Sequence, residues 1–341
     1  MNKIFKKLKR EESFVTGRYN LAPEFLSLII TFRCNFRCQS CSIWQKPLAL
    51  ELSENEWLGI ARKAKDFFGP ETFVEINGGE PLLKKELVSS LVKTLKPHFK
   101  NVALNSNGLL INKETVAELE KVGLDLLKVS FYSIKENIHN DLRGNPQAYR
   151  QAMKALKVAS ESRIKLEIGV LITAKNIADL PELLKYLKTL SGASIILQPL
   201  DESVESEASK DKQSSRLLES LWPAKNEAVK FFDWVLANYK NCPIKNSPAN
   251  IKAMAEYYLN PPNVLKYRCF AGQRNLVVYP NGEVALCFKG QVIGNLAKEN
   301  LGDILKDEKA SRERKNIKIC GKYCRIIGCN FSRGLEEVFK S

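Results

Sequence analysis

Eight of the nine cysteines fall into two groups whose spacing suits metal ligation. Cys34, Cys38 and Cys41 form a C-x3-C-x2-C run. Cys269, Cys287, Cys320, Cys324 and Cys329 gather near the C-terminus, and Cys242 stands apart. Thiols grouped this way, in a chain whose N-terminus lacks a signal-peptide core, suit metal in a reducing compartment better than disulfides. The cytoplasm is the expected location. His98 and His139 are the only histidines, so any such site must be mainly thiolate. Three closely spaced thiolates on a [4Fe–4S] cluster leave one iron open to a cofactor or substrate. Zinc is the plainer alternative for the triplet, but no fourth ligand lies nearby.

The C-terminal group has a different layout. Leu276–Tyr279 and Glu283–Leu286 flank Pro280-Asn281-Gly282 and predict a β-hairpin, with Cys269 before it and Cys287 at its end. Such a hairpin can present two thiolates to one metal. Cys320, Cys324 and Cys329 follow after a gap. A zinc ribbon is the alternative for this end, and Cys242 reads as a plain thiol.

The elements that position these residues alternate. Strands are expected at Leu26–Thr31, Thr72–Asn77, Val102–Asn105, Leu126–Phe131, Lys165–Ile172 and Ser194–Gln198. Between them lie helical stretches with apolar residues three and four apart, such as Leu180, Leu183, Leu184 and Leu187. Six βα units predict an α/β fold, a partial (βα)6 TIM-like barrel, short of the closed eight. The cysteine triplet would then follow the first strand, at the sheet's C-terminal end. The expected division is a basic segment over 1–24, the barrel over 25–200, a polar loop and linker helices over 201–260, and a small α+β cluster-binding extension over 261–341. Asn260-Pro261-Pro262 marks the last break.

A C-x3-C-x2-C triplet after the first strand of a six-unit partial barrel resembles the radical S-adenosylmethionine (SAM) superfamily, over residues 25 to about 200. The resemblance implies a [4Fe–4S] cluster on Cys34, Cys38 and Cys41 whose open iron binds SAM. Its reductive cleavage would give a 5′-deoxyadenosyl radical that abstracts hydrogen from a substrate. Gly78-Gly79-Glu80 is similar to the family's GGE motif, which meets the SAM amino group. Asn107 lies in a stretch similar to the family's Thr-Asn-Gly, with a plain Asn-Gly turn as its alternative. The resemblance also implies that Ser130 and Arg143 contact SAM. A surface ion pair with Asp141 is the simpler reading of Arg143. Gly169 could make room for adenine, and Gln198-Pro199 faces the same mouth. Trp44, rather than an aromatic at Ser40, follows the triplet.

The C-x12-G-x4-C spacing of Cys269, Gly282 and Cys287 resembles the SPASM and twitch extensions of that superfamily, which hold auxiliary [4Fe–4S] clusters. Five thiols cannot ligate two clusters fully, so one auxiliary cluster is expected. Its ligands would be Cys269, Cys287 and two of Cys320, Cys324 and Cys329. The implied function is a radical SAM oxidoreductase or maturase acting on a peptide or protein side chain or a small polar metabolite. An electron donor such as flavodoxin or ferredoxin would serve it. The net charge of +15 raises an alternative, a zinc-stapled module that binds nucleic acid or a membrane surface. Nucleic acid is not expected as a partner. The N-terminus places Ile4, Phe5 and Leu8 on one helical face among lysines, which allows weak contact with an anionic bilayer. A disordered basic tail is the favoured reading of that segment.

Overall fold

The computed structural model describes residues 3–47, 50–201, 219–327 and 331–332. The polar stretch after Asp201 and the last expected ligand, Cys329, lie outside the described residues.

The six expected barrel strands all form: β1 Phe25–Ile29, β2 Phe73–Asn77, β3 Asn101–Ser106, β4 Leu126–Ser130, β5 Lys165–Leu171 and β6 Ser194–Gln198. Each pairs in parallel with the next. Helices cover the outer face, and Leu26, Val74, Leu104, Leu127, Ile168 and Ile195 are fully buried there. The helix Glu54–Phe67 starts on a capping box in which Ser53 and Glu56 exchange hydrogen bonds.

The expected hairpin is present as β8 Asn275–Val278 and β9 Glu283–Ala285, after the short β7 Arg268–Cys269. It does more than present thiols. β8 pairs in parallel with β1, and β10 Val292–Asn295 extends the far side, so one nine-stranded sheet runs β10-β9-β8-β1-β2-β3-β4-β5-β6. The extension therefore continues the barrel wall and shares its apolar core. At the other edge, Asn246 donates to the carbonyl and accepts from the amide of Leu197, a side chain completing the pairing of β6. Asn250 donates to Ile326 O at 2.8 Å, tying that edge to the extension.

The N-terminal segment is a helix, Lys3–Thr16, and not a tail. Its inner face is held by Phe14 stacked on Phe270 at 4.7 Å and by buried Arg10. Arg10 bonds Glu24 at 2.9 Å, Ala22 O at 3.2 Å and Gln273 O. Sequence reading missed this because its partners lie some 260 residues away. Ile4, Phe5 and Leu8 remain on the exposed side. Among the described residues no helix is long and apolar enough to cross a membrane.

Candidate active site

Inward-facing residues alternate along the strands and form layers in the lumen. Phe25, Phe73 and Leu126 lie lowest. Above them Lys128 bridges Glu75 at 2.6 Å and Glu167 at 3.1 Å, and Lys245 reaches Glu167 at 2.9 Å. Burial opposes the Lys128 ammonium, but the two carboxylates outweigh it and raise its pKa, so this layer stays charged. Asn77 donates to Glu75 at 2.8 Å and to Ser27 at 2.6 Å. The signal was in the sequence: a charged residue, Glu75, Lys128 or Glu167, set among apolar neighbours in each of three strands.

Over this layer opens a cavity of about 780 Å³. Cys34, Cys38 and Cys41 line it, with Gly78, Gly79, Asn107, Ser130, Arg143, Gly169, Gln198 and Trp44. Residues drawn from five strands or their ends, the helix Glu136–Arg143 and the cysteine loop thus converge. Glu80 does not line the cavity. It is fully buried, and its carboxylate accepts from Asn107 N at 2.7 Å, Leu82 N at 3.0 Å and the Ser106 hydroxyl at 3.0 Å. It braces the ends of β2 and β3.

The glycines serve the cysteine loop directly. Gly79 N donates to Thr31 O and Glu80 N to Arg33 O, both at 2.9 Å. A Cβ on Gly79 would stand 2.2 Å from the Arg33 carbonyl oxygen. Gly144, which the sequence did not single out, ends the helix Glu136–Arg143 at φ +59°, and a Cβ there would meet Arg37 O at 2.1 Å. Asn107 reaches Asn35 at 2.6 Å, and Gln39 N bonds Leu142 O at 3.1 Å. The loop carrying the triplet is thus pinned on both flanks.

Arg143 is buried, which excludes the surface ion pair; Asp141 bonds Lys175 at 2.6 Å and Gln39 at 2.8 Å. The Arg143 guanidinium lies 5.2 Å from the Phe36 ring and 4.8 Å from that of Tyr132, and it donates to the Tyr132 hydroxyl at 2.9 Å. Its Nε has no partner among the described residues. His139 is a core residue: its Nδ1 accepts from Tyr132 N at 3.2 Å, and burial, then Arg143, pull its pKa down to about 3.

Five of the cysteines share one local geometry. Cys34, Cys41, Cys269, Cys287 and Cys320 each accept the backbone N–H two residues on, from Phe36, Ile43, Ala271, Lys289 and Lys322. Such N–H groups point at a sulfur that carries negative charge. Burial acts the other way and prevails, so that the Cys41 thiol stands at about 11 and the Cys269 thiol at about 12. Buried sulfurs with amide donors suit a metal, whose charge makes the thiolate the stable form. Cys242 shows no such bond. Cys320 and Cys324 are both brought near Cys269, close enough for their charge to reach it. A [4Fe–4S] cluster fits both donor sets, because each offers thiolates and neither offers an imidazole.

The sequence model of the radical SAM superfamily matches residues 28–187, and that of an iron–sulfur cluster-binding domain, SPASM, matches residues 269–330. Among curated proteins, the probable GTP 3′,8-cyclase of Methanopyrus kandleri is 27% identical over 50% of this chain and 55% of its own length. The Fe-coproporphyrin III synthase of Methanosarcina barkeri is 29% identical over 47% of this chain and 39% of its own. The PqqA peptide cyclase of Bradyrhizobium diazoefficiens is 28% identical over 48% and 43%. The chain thus spans about half the length of the curated relatives it matches, or somewhat less. Among solved structures, Streptococcus suis SuiB bound to S-adenosylmethionine aligns over 90% of this chain and 72% of its own, with TM-score 0.66 and 17% identity. The protein anSMEcpe, with bound AdoMet and Cp18Cys peptide, aligns over 87% and 83%, with TM-score 0.65 and 17% identity. These likenesses establish the fold. The chain thus carries a radical SAM superfamily domain over residues 28–187, which implies SAM and a [4Fe–4S] cluster, followed by a SPASM iron–sulfur cluster-binding domain over residues 269–330.

Proposed function

We propose that this enzyme is a peptide-modifying radical SAM oxidoreductase or maturase of a reducing, cytoplasmic compartment. The carrying observation is the single cavity in which Cys34, Cys38 and Cys41 meet Gly78, Gly79, Asn107, Ser130, Arg143 and Gly169. In this reading the three thiolates hold the SAM-binding cluster. When bound, cluster and SAM supply a 5′-deoxyadenosyl radical that takes a hydrogen atom from a substrate C–H bond.

The chain's own residues bind and orient. Arg143, held against two aromatic rings at the cavity wall, would supply its guanidinium to the SAM carboxylate. Gly78 and Gly79 bring backbone to the cavity wall, and Glu80 keeps that wall in register with Asn107. The Glu75–Lys128–Glu167 layer gives the lumen a charged floor, suited to a polar group rather than an apolar one. Cys269, Cys287 and two of Cys320, Cys324 and Cys329 hold the auxiliary cluster. The division into 1–24, 25–200, 201–260 and 261–341 goes with this assignment, with the hairpin of the last part completing the barrel wall. A donor of the flavodoxin or ferredoxin type supplies electrons.

The peptide reading draws on two kinds of relative: the PqqA peptide cyclases, and SuiB, which has been solved with its precursor peptide SuiA. The test is anaerobic incubation of reconstituted protein with SAM and a reductant, following 5′-deoxyadenosine. Release that rises with added polar peptides, and not with nucleotides or polyols, is expected. No release under any of these conditions would end the proposal.

A further inference from the structure

The described cysteines of the extension come from three separated segments, and one buried side chain ties two of these together. Arg325 is 6% exposed, on the short turn Tyr323–Ile326 beside Cys324. Its Nη1 donates to Leu265 O at 3.0 Å and Tyr267 O at 2.7 Å, on the strand entry that leads to Cys269. Its Nε donates to Lys322 O at 3.3 Å and its Nη2 to Cys320 O. The fork of the guanidinium spans the chain before Cys269 on one side and the Cys320–Cys324 loop on the other.

All four acceptors are neutral carbonyls, and among the described residues no carboxylate pairs with Arg325. A buried cation without a counter-charge is costly and persists where negative charge stands beside it. The neighbouring charge is sulfur. Arg325 follows Cys324 directly in the chain, bonds the carbonyl of Cys320 and lies close enough to Cys269 for its charge to be felt there. A [4Fe–4S] cluster on four thiolates is anionic and gains further negative charge when it accepts an electron.

We propose that Arg325 is the positioning residue of the auxiliary site: it fixes the backbone around Cys269, Cys320 and Cys324 and raises the reduction potential of the cluster they hold. A fixed positive charge in a medium of low dielectric stabilises the reduced, more negative cluster over the oxidised one. An auxiliary centre so biased accepts an electron more readily than its thiolate set alone would allow. The inference rests on the iron–sulfur reading of the extension.

The test uses full-length, anaerobically reconstituted protein in the Cys34→Ala/Cys38→Ala/Cys41→Ala background, so that only the auxiliary site reports. Iron and sulfide per chain and the midpoint potential, followed by electron paramagnetic resonance, are compared for Arg325, Arg325→Lys and Arg325→Gln. The expected result is retained iron in both variants, a shift to lower potential in Arg325→Gln, and a potential near the parent in Arg325→Lys. Iron lost from Arg325→Gln but kept by Arg325→Lys also supports a role for the charge. A glutamine variant at the parent potential, or loss of iron from both variants alike, overturns the tuning role. A parent without iron in this background defeats the underlying reading instead, and the two failures are thereby told apart.

Discussion

The two thiolate sites are built in opposite ways. At the barrel mouth, Cys34, Cys38 and Cys41 sit on one continuous loop, and distant residues only hold that loop still: Gly79, Leu142 and Gly144 press or bond against its backbone, and Asn107 bonds the side chain of Asn35. In the extension the cysteines themselves are distant in sequence, and Arg325 and the N-terminal helix draw their segments together. The amide-to-sulfur bonds recur at both sites, so this local geometry is common to them while the route to convergence differs. A local ligand set leaves an iron free for chemistry. A dispersed one staples the chain and depends on the fold for its existence.

If this contrast holds, damage at the mouth abolishes chemistry and spares the fold, whereas damage near the extension acts through stability. The largest effect is expected from Cys34→Ala, which should reduce 5′-deoxyadenosine release to the level of the no-enzyme control while leaving the melting temperature nearly unchanged. Next comes Gly144→Ala. The new Cβ clashes with Arg37 O in a left-handed backbone and displaces the cysteine loop; SAM cleavage should fall roughly 10- to 100-fold, with iron lost from the mouth site only. Iron analysis and product assay together check this.

Phe14→Ala should show the opposite pattern. It empties the stack on Phe270, one residue from Cys269, at a cost of about 3 kcal/mol. Denaturant unfolding should report that loss, and auxiliary iron should become easier to chelate while SAM binding persists. The smallest effect belongs to Cys242→Ser. Outside both sites and without an amide-to-sulfur bond, it should change stability by less than about 0.5 kcal/mol and leave iron content alone.

What was legible in the sequence follows the same contrast. The strands were readable within a residue or two because apolar alternation is local, and so was the triplet, whose spacing is itself the site. Gly144 was not readable as part of that site, since the Arg37 carbonyl it meets lies more than 100 residues earlier. Nor was the pairing of β8 with β1, because a hairpin's own residues do not say which sheet they will join. Glu80 was read with the cavity because its neighbours line it, while its side chain turns inward to Asn107. Arg325 carried no local signal: it is one basic residue among 53, distinguished only by burial and by the carbonyls around it. The N-terminal helix was misread for a related reason, its lysines suggesting solvent while Arg10 and Phe14 faced partners far along the chain.

The independence of the two sites is the central claim, and metal analysis of the Cys34→Ala/Cys38→Ala/Cys41→Ala protein tests it most directly. The parent should carry about eight irons per chain and the variant about half of that, with matching sulfide, no SAM cleavage and an intact fold. A variant that retains zinc and no iron, or that still releases 5′-deoxyadenosine at the parent rate, would contradict the account.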